Sequence, residues 1–287
     1  MESLPERAGR RCHHMLNPLH STHYFSPDLG RELAGIGIDD ASAAYFAVRA
    51  AAMGPVGAGV VAATFFNFDP ALVARHVPTV WTVAEPKTVL AARTRAVDAT
   101  LRRLLGDELI ASPEMAEAAK LALRATEACA GAARPLYTAH ADLPVPDAPH
   151  LAYWHAATLL REHRGDGHLA ALLDAELDPV EALVSHTATG RGMTPKWALG
   201  SRGWSRADWD AAVGRLRERG LLDADGELTR EGAAMREGVE ARTDRLDHAP
   251  YAHLGAAGVE RLTELAGGIL KTAMAAGAFP GGAFGKN

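Results

Sequence analysis

Apolar positions recur at helical spacing along most of this chain, and capping residues mark where the runs begin. From Leu29 to about Gly131 the pattern predicts a series of helices. Residues 41–53 form an Ala-rich run with Tyr45, Phe46 and Val48, ended by Gly54-Pro55. The apolar run 56–66 stops at Asn67-Phe68-Asp69-Pro70, where Asp69 is placed to cap a helix opened by Pro70. Residues 87–105 carry Leu90, Val97, Leu101 and Leu104 with arginines on the other face, and Ser112-Pro113 opens a further helix toward Cys129. Pro135, Pro144, Pro146 and Pro149 mark 134–149 as a linker or extended strap. Residues 151–164 read as a helix broken by Gly165-Asp166-Gly167, with a second run from His168 and a third from Asp178-Pro179. This organises the chain as a polar, disordered tail (1–14), a helical N-terminal domain (15–133), the linker (134–149), a C-terminal domain (150–275) and a frayed Gly/Phe tail (276–287).

Between Ser205 and Gly232 the pattern changes. Trp209, Val213 and Leu216 fall at i, i+4 and i+7, so that segment predicts an amphipathic helix. Ser205 and Asp208 have capping-box spacing, and Gly220 ends the run. Leu221-Leu222 and Glu227-Leu228-Thr229 flank Asp-Ala-Asp-Gly, a turn of residues that tolerate positive φ. Helix, small hairpin, helix is the order of a winged helix-turn-helix, and the segment resembles the C-terminal half of a MarR-type module. The predicted fold is therefore mainly α: a helical N-terminal half plus a C-terminal winged helix-turn-helix with a small β-hairpin wing.

Charge weakens the step from that fold to DNA. The hairpin tip carries Asp223, Asp225 and Glu227, and the recognition helix mixes Asp208, Asp210 and Glu218 with Arg206, Arg215, Arg217 and Arg219. Affinity for duplex DNA comes largely from cations set against its phosphates, so an acidic wing disfavours it. The 287 residues carry a formal net charge of -5, which favours neither nucleic acid nor an anionic membrane. The two cysteines, Cys12 and Cys129, have no CxxC partner, no apolar run approaches a membrane span, and the N-terminus lacks a signal-peptide core. The expectation is a reduced, cytoplasmic protein without a membrane partner.

Five stretches carry a wider resemblance: LHSTHYFSPD (19–28), AYFAVRAAAMGPV (44–56), ATFFNFDPALVARHVPTVW (63–81), HLAYWHAATLLREHRGDGHLAAL (150–172) and EARTDRLDHAPYAHLG (240–255). Together they resemble an actinobacterial helix-turn-helix or SalK-like family, some of whose members occur in natural-product gene clusters. The resemblance implies a fold and a setting in specialised metabolism, and no family-wide activity comes with it.

Three clusters are candidates for chemistry. Residues 161–168 pack Arg161, Glu162, His163, Arg164, Asp166 and His168 around two glycines. As a sharp corner this predicts His163 and His168 as an acid/base pair oriented by Asp166, with Arg161 and Arg164 as an anion clamp. His163, His168 and His20 are also the candidate ligands for a haem or divalent metal, though no spacing specifies either. The alternative is a solvated corner. The second cluster sets His20 near Tyr24, as pocket lining or as packing. The third, Phe65-Phe66-Asn67-Phe68, suits an apolar pocket in which Phe66 contacts and Asn67 orients a ligand. Arg49 stands alone on an apolar helix and requires an anionic partner or a ligand carboxylate.

The leading reading is a small-molecule-binding protein, an enzyme of specialised metabolism that uses the winged helix as scaffold or homodimer surface. The alternative is a ligand-responsive, MarR-like DNA-binding regulator. A third reading, a protein-interaction module, rests on Trp197, Trp204 and Trp209 around the winged segment.

Overall fold

A computed structural model describes residues 4–280. Helix α1 (Ala8–Ser21) passes through a 3-10 turn (Thr22–Phe25) into α2 (Pro27–Ala34). Then come α3 (Ala41–Ala50) with a 3-10 extension (Ala51–Met53), α4 (Ala58–Phe65), α5 (Pro70–His76), α6 (Val80–Val83), α7 (Pro86–Ile110) and α8 (Pro113–Thr126). The second half runs α9 (Pro135–Ala141), α10 (Pro149–Asp174), α11 (Pro179–Ala188), α12 (Pro195–Arg202), α13 (Arg206–Glu218), α14 (Arg230–Leu246), α15 (His248–Leu254) and α16 (Ala256–Ala275).

Local chemistry sets many of these starts. Ser26, Asp69, Ser112, Asp178 and Thr194 each accept a backbone N–H of the first turn while proline takes the opening position. The capping box of Ser205 and Asp208 forms in both directions.

Packing then joins distant segments. One core brings Leu16 of α1, Leu101 of α7, Met115 of α8, Tyr153 of α10 and Leu262 of α16 together. It therefore draws helices from both sides of the Pro-rich segment. A second core gathers Leu33, Phe46, Val61 and Val89 of the N-terminal helices, and a third gathers Leu172, Trp209, Leu216 and Val239. The long helix α10 runs from the first core into the third.

Several elements differ from the sequence expectation. The polar stretch before residue 15 is helical from Ala8 onward, with Cys12 and His13 buried. Its arginines suggest a solvated tail, but one face packs on α16. Residues 1–3 and the end of the C-terminal tail, 281–287, lie outside the described residues, and Ala278 just before that end is buried. The segment 134–149 holds the short helix α9.

The Gly165-Asp166-Gly167 corner does not exist: α10 continues straight through it. Here the glycine serves close approach. A Cβ on Gly167 would lie 2.8 Å from a terminal nitrogen of Arg134 and 3.3 Å from the Cβ of Leu246. That arginine donates to the carbonyls of His163 and Leu246 and ties α14 to α10.

The wing is also reduced. Among the described residues no β-strand forms; Leu222 and Leu228 make one antiparallel bridge. The Asp223 carboxylate accepts from the N–H groups of Asp225 and Glu227 at 2.9 and 3.0 Å, which curls the tip tightly. Two backbone bonds flank that bridge, from the Asp223 N–H to the Glu227 carbonyl and from the Thr229 N–H to the Leu221 carbonyl, and Thr229 then caps α14. No single helix among the described residues is long and apolar enough to cross a membrane.

Candidate functional site

A cavity of about 1280 Å³ lies between the N-terminal helices and the α11–α14 segment. Its inner end is built on α3, where Tyr45 and Arg49 sit one turn apart on a helix capped by Asp40. The Tyr45 hydroxyl lies 3.2 Å from an Arg49 terminal nitrogen. The guanidinium rests 4.1 Å over the Phe65 ring, and Phe68 completes the aromatic wall beside Tyr45. Across the cavity α10 supplies Glu162, 3.5 Å from Arg49, and Arg161, which also donates to Glu162.

The third cation comes from far along the chain. The Asp69 N–H donates to the Arg202 carbonyl at 2.9 Å, and the Trp204 indole donates to the Asn67 carbonyl at 2.9 Å. Gly203 makes this junction: its φ is +85°, and a Cβ there would meet Leu72 Cβ at 2.7 Å. The junction holds the Arg202 guanidinium 4.5 Å over the Phe68 ring. Phe66 takes a left-handed φ of 58°.

Electrostatics follow from this crowding. Burial pushes the Tyr45 phenol up, but Arg49, Arg202 and Arg161 outweigh it and hold the phenol below its ordinary value. Burial likewise raises the Glu162 carboxyl, and Arg161 and Arg49 bring it below the usual carboxylate range. Tyr24, whose ring centre is 5.2 Å from that of Tyr45, is pushed up by burial to about 12. Two neighbouring phenols thus hold their protons differently, and Tyr45 is the one suited to release its proton.

Of the residues singled out from the sequence, Arg49, Asn67, Arg161, Arg164, Asp166 and His168 line the cavity. His163, His20, Tyr24 and Phe66 are not among its lining residues. Because α10 is continuous, His163 points away and meets Asp247, Nδ1 to Oδ1 2.8 Å, both buried. Asp247, the residue joining α14 to α15, orients His163; Asp166 accepts the Tyr137 N–H instead, and burial raises its carboxyl to about 6. His168 shares a hydrogen bond with Thr243, and burial lowers its imidazole to about 4. The acid/base pair His163 and His168 therefore does not form.

Other assignments change in the same way. His20 stacks on Trp154 and shares its Nδ1 with the Thr158 hydroxyl; burial lowers its imidazole well below the ordinary value. Arg164 is engaged by Asp244 at 2.9 Å and Glu240 at 3.3 Å, so it does not clamp a ligand together with Arg161. Phe66 packs against the third core. Among the described residues no three His, Cys, Asp or Glu side chains converge as metal ligands would, and the candidate ligands His163, His168 and His20 all have protein partners. Trp209 is core, and Trp204 serves the junction with Asn67.

Sequence reasoning missed Tyr45 and Arg202. Tyr45 carries a local signal, four residues before Arg49. Arg202 carries none. The α1 residues His13, His14 and Asn17 also line the cavity, from a stretch that reads in part as tail.

The arginines of α13, and Arg219 which caps its end, are engaged within the protein. Arg215 pairs with Asp178 and Glu181, and Arg219 with Glu181. Arg217 donates to the carbonyls of Asp223 and Ala224, and Arg206 pairs with Asp210.

A family profile described as a helix-turn-helix family matches residues 9–280. No curated protein and no solved structure shows significant similarity to the chain.

Proposed function

We propose that this chain, which belongs to the helix-turn-helix family matched over residues 9–280, binds a small organic molecule in the cavity between its two halves. The observation that carries this reading is the cavity itself. It is about 1280 Å³ and converges on the buried Glu162 and the half-buried Arg49 and Tyr45, at a wall of phenylalanines. The lining is mostly polar, but at this end aromatic rings stand beside a few fixed polar groups, the combination that orients a small molecule. The helix-turn-helix segment then acts as scaffold, closing the cavity through Arg202. Its resemblance to SalK-like chains of actinobacteria supports a ligand from specialised metabolism. Tyr45 supplies the group an enzyme would use to move a proton.

DNA binding is the weaker reading on two grounds. The hairpin tip is acidic, and each arginine of α13 already has an acceptor within the protein. Contact with phosphate would require breaking those interactions.

The test is a thermal-shift screen of small organic metabolites, with calorimetry on the hits. Gly165→Leu, which adds a side chain at a glycine lining the cavity, serves as the blocked variant. Hits lost in that variant support the reading. Absence of any hit, or hits indifferent to the block, counts against it. Salt-sensitive binding of its own promoter at low ionic strength would instead favour a regulator.

A further inference from the structure

We infer that the inner end of the cavity is an anion subsite, in which Arg49, Arg161 and Arg202 receive the carboxylate or phosphate of a ligand whose aromatic body lies on Phe65 and Phe68. The inference rests on the small-molecule reading above and specifies the class of molecule.

The first argument is a count of charge. Three guanidiniums face Tyr45 at this end, and Arg49 and Arg161 share one carboxylate, Glu162. Arg202 has no carboxylate partner among the described residues. Its contacts are the Ser201 hydroxyl at 3.2 Å and the Met193 sulfur at 3.4 Å. Arginine stays protonated in proteins, so the three guanidiniums exceed the one carboxylate paired with them, Glu162, by two charges. Burial lowers the proton affinity of Arg202 and Tyr45 raises it, while Arg49 and Arg161 lower it further; the net direction is down. Cations are gathered this way, against their own repulsion, where an anion completes the set.

The second argument is unspent hydrogen bonding. The Nε–H groups of Arg49 and Arg202 are buried and have no acceptor among the described residues. A buried donor without a partner is costly, and an oxyanion is the acceptor that a guanidinium fork fits best. Stacking on Phe68 steadies the Arg202 plane but satisfies none of its donors.

The outer end of the same cavity differs. Arg164 and Arg10 are met there by Asp244, with Glu240 beside Arg164. Arg164 and Arg10 thus have carboxylate partners, whereas Arg202 has none among the described residues, so an anionic head group is drawn to the inner end, past its aromatic wall.

Matched pairs of probes test this: benzoate against benzamide, indole-3-acetate against indole-3-acetamide, and phenyl phosphate against phenol, each by thermal shift and calorimetry. The anionic member should bind about tenfold tighter or more, as a charge-assisted hydrogen bond implies. Arg202→Gln should erase that preference, and Arg202→Lys should keep part of it. Arg202 has no ion-pair partner to orphan, so both variants should stay folded. The stronger anionic arm identifies carboxylate or phosphate as the head group. Equal or tighter binding of the neutral members, or an unchanged preference in Arg202→Gln, overturns the anion subsite while leaving a small-molecule cavity in place. If no probe and no compound of the wider screen binds, the cavity reading fails and this inference with it.

Discussion

Arg49 on α3 and Glu162 on α10 meet at 3.5 Å, with side chains only 11% and 4% exposed. One is an arginine in an apolar helix, and the other stands in a charged run far along the chain. Their contact fixes the inner end of the cavity and the electrostatics around it.

Glu162→Gln should therefore destabilise the fold by about 3 kcal/mol, because Arg49 and Arg161 would lose their shared counter-ion. The Glu162 carboxyl is held below its ordinary value. Its contribution is thus fully present above the carboxylate's unfolded value and is lost as pH falls through the lowered folded one. Urea unfolding across pH should show acid-sensitive stability in the wild type and a flatter profile in the variant. Equal profiles would show that the pair adds nothing.

Tyr45 should ionise first among the five tyrosines. Its arginine neighbours lower it, whereas burial raises Tyr24 and Tyr137 to about 12. Alkaline titration of phenolate absorbance should give one tyrosine ionising below the ordinary value of free tyrosine. That phase should vanish in Tyr45→Phe. It should move upward in Arg202→Gln, which removes one of the cations.

His163 and Asp247 form a buried structural link, 2.8 Å apart and outside the cavity. His163→Ala should cost about 3 kcal/mol, since it leaves a buried carboxylate and a void. Cavity ligands should bind the folded variant as they bind the wild type. Normal stability with lost ligand binding would return His163 to the site.

The two glycines of α10 should respond oppositely to alanine. A Cβ on Gly165 meets only a Glu162 carboxylate oxygen, at 3.7 Å, so Gly165→Ala should stabilise by up to about 1 kcal/mol. Gly167→Ala pushes against Arg134 and Leu246 and should destabilise by about 1–2 kcal/mol despite better helix propensity. Thermal unfolding of both variants checks this, and destabilisation at both sites would favour a corner over a continuous helix.

Helix starts were legible because caps are local. A serine, threonine or aspartate before proline satisfies the first-turn N–H groups whatever packs later. Arg49 was legible as an anomaly, since a lone cation on an apolar face demands a partner. The 161–168 run stood out by its charge. Its geometry was not legible, because glycine marks a turn in one context and a close helix contact in another. Continuity of α10 sends His163 to Asp247 and leaves Arg161, Glu162 and Asp166 at the cavity.

A mainly helical chain, the capped segment from Ser205, the acidic residues 223–227 and the need of Arg49 for an anion are all readable along the chain. These depend on residues within a turn or two of each other. Tertiary structure decided that Asp247 orients His163, that Glu162 answers Arg49, and that Arg202 joins the same cavity. The last of these depends on the junction of Asp69 with Arg202 and of Asn67 with Trp204. Which buried charges meet is set by how helices distant in sequence pack, and no local period records that.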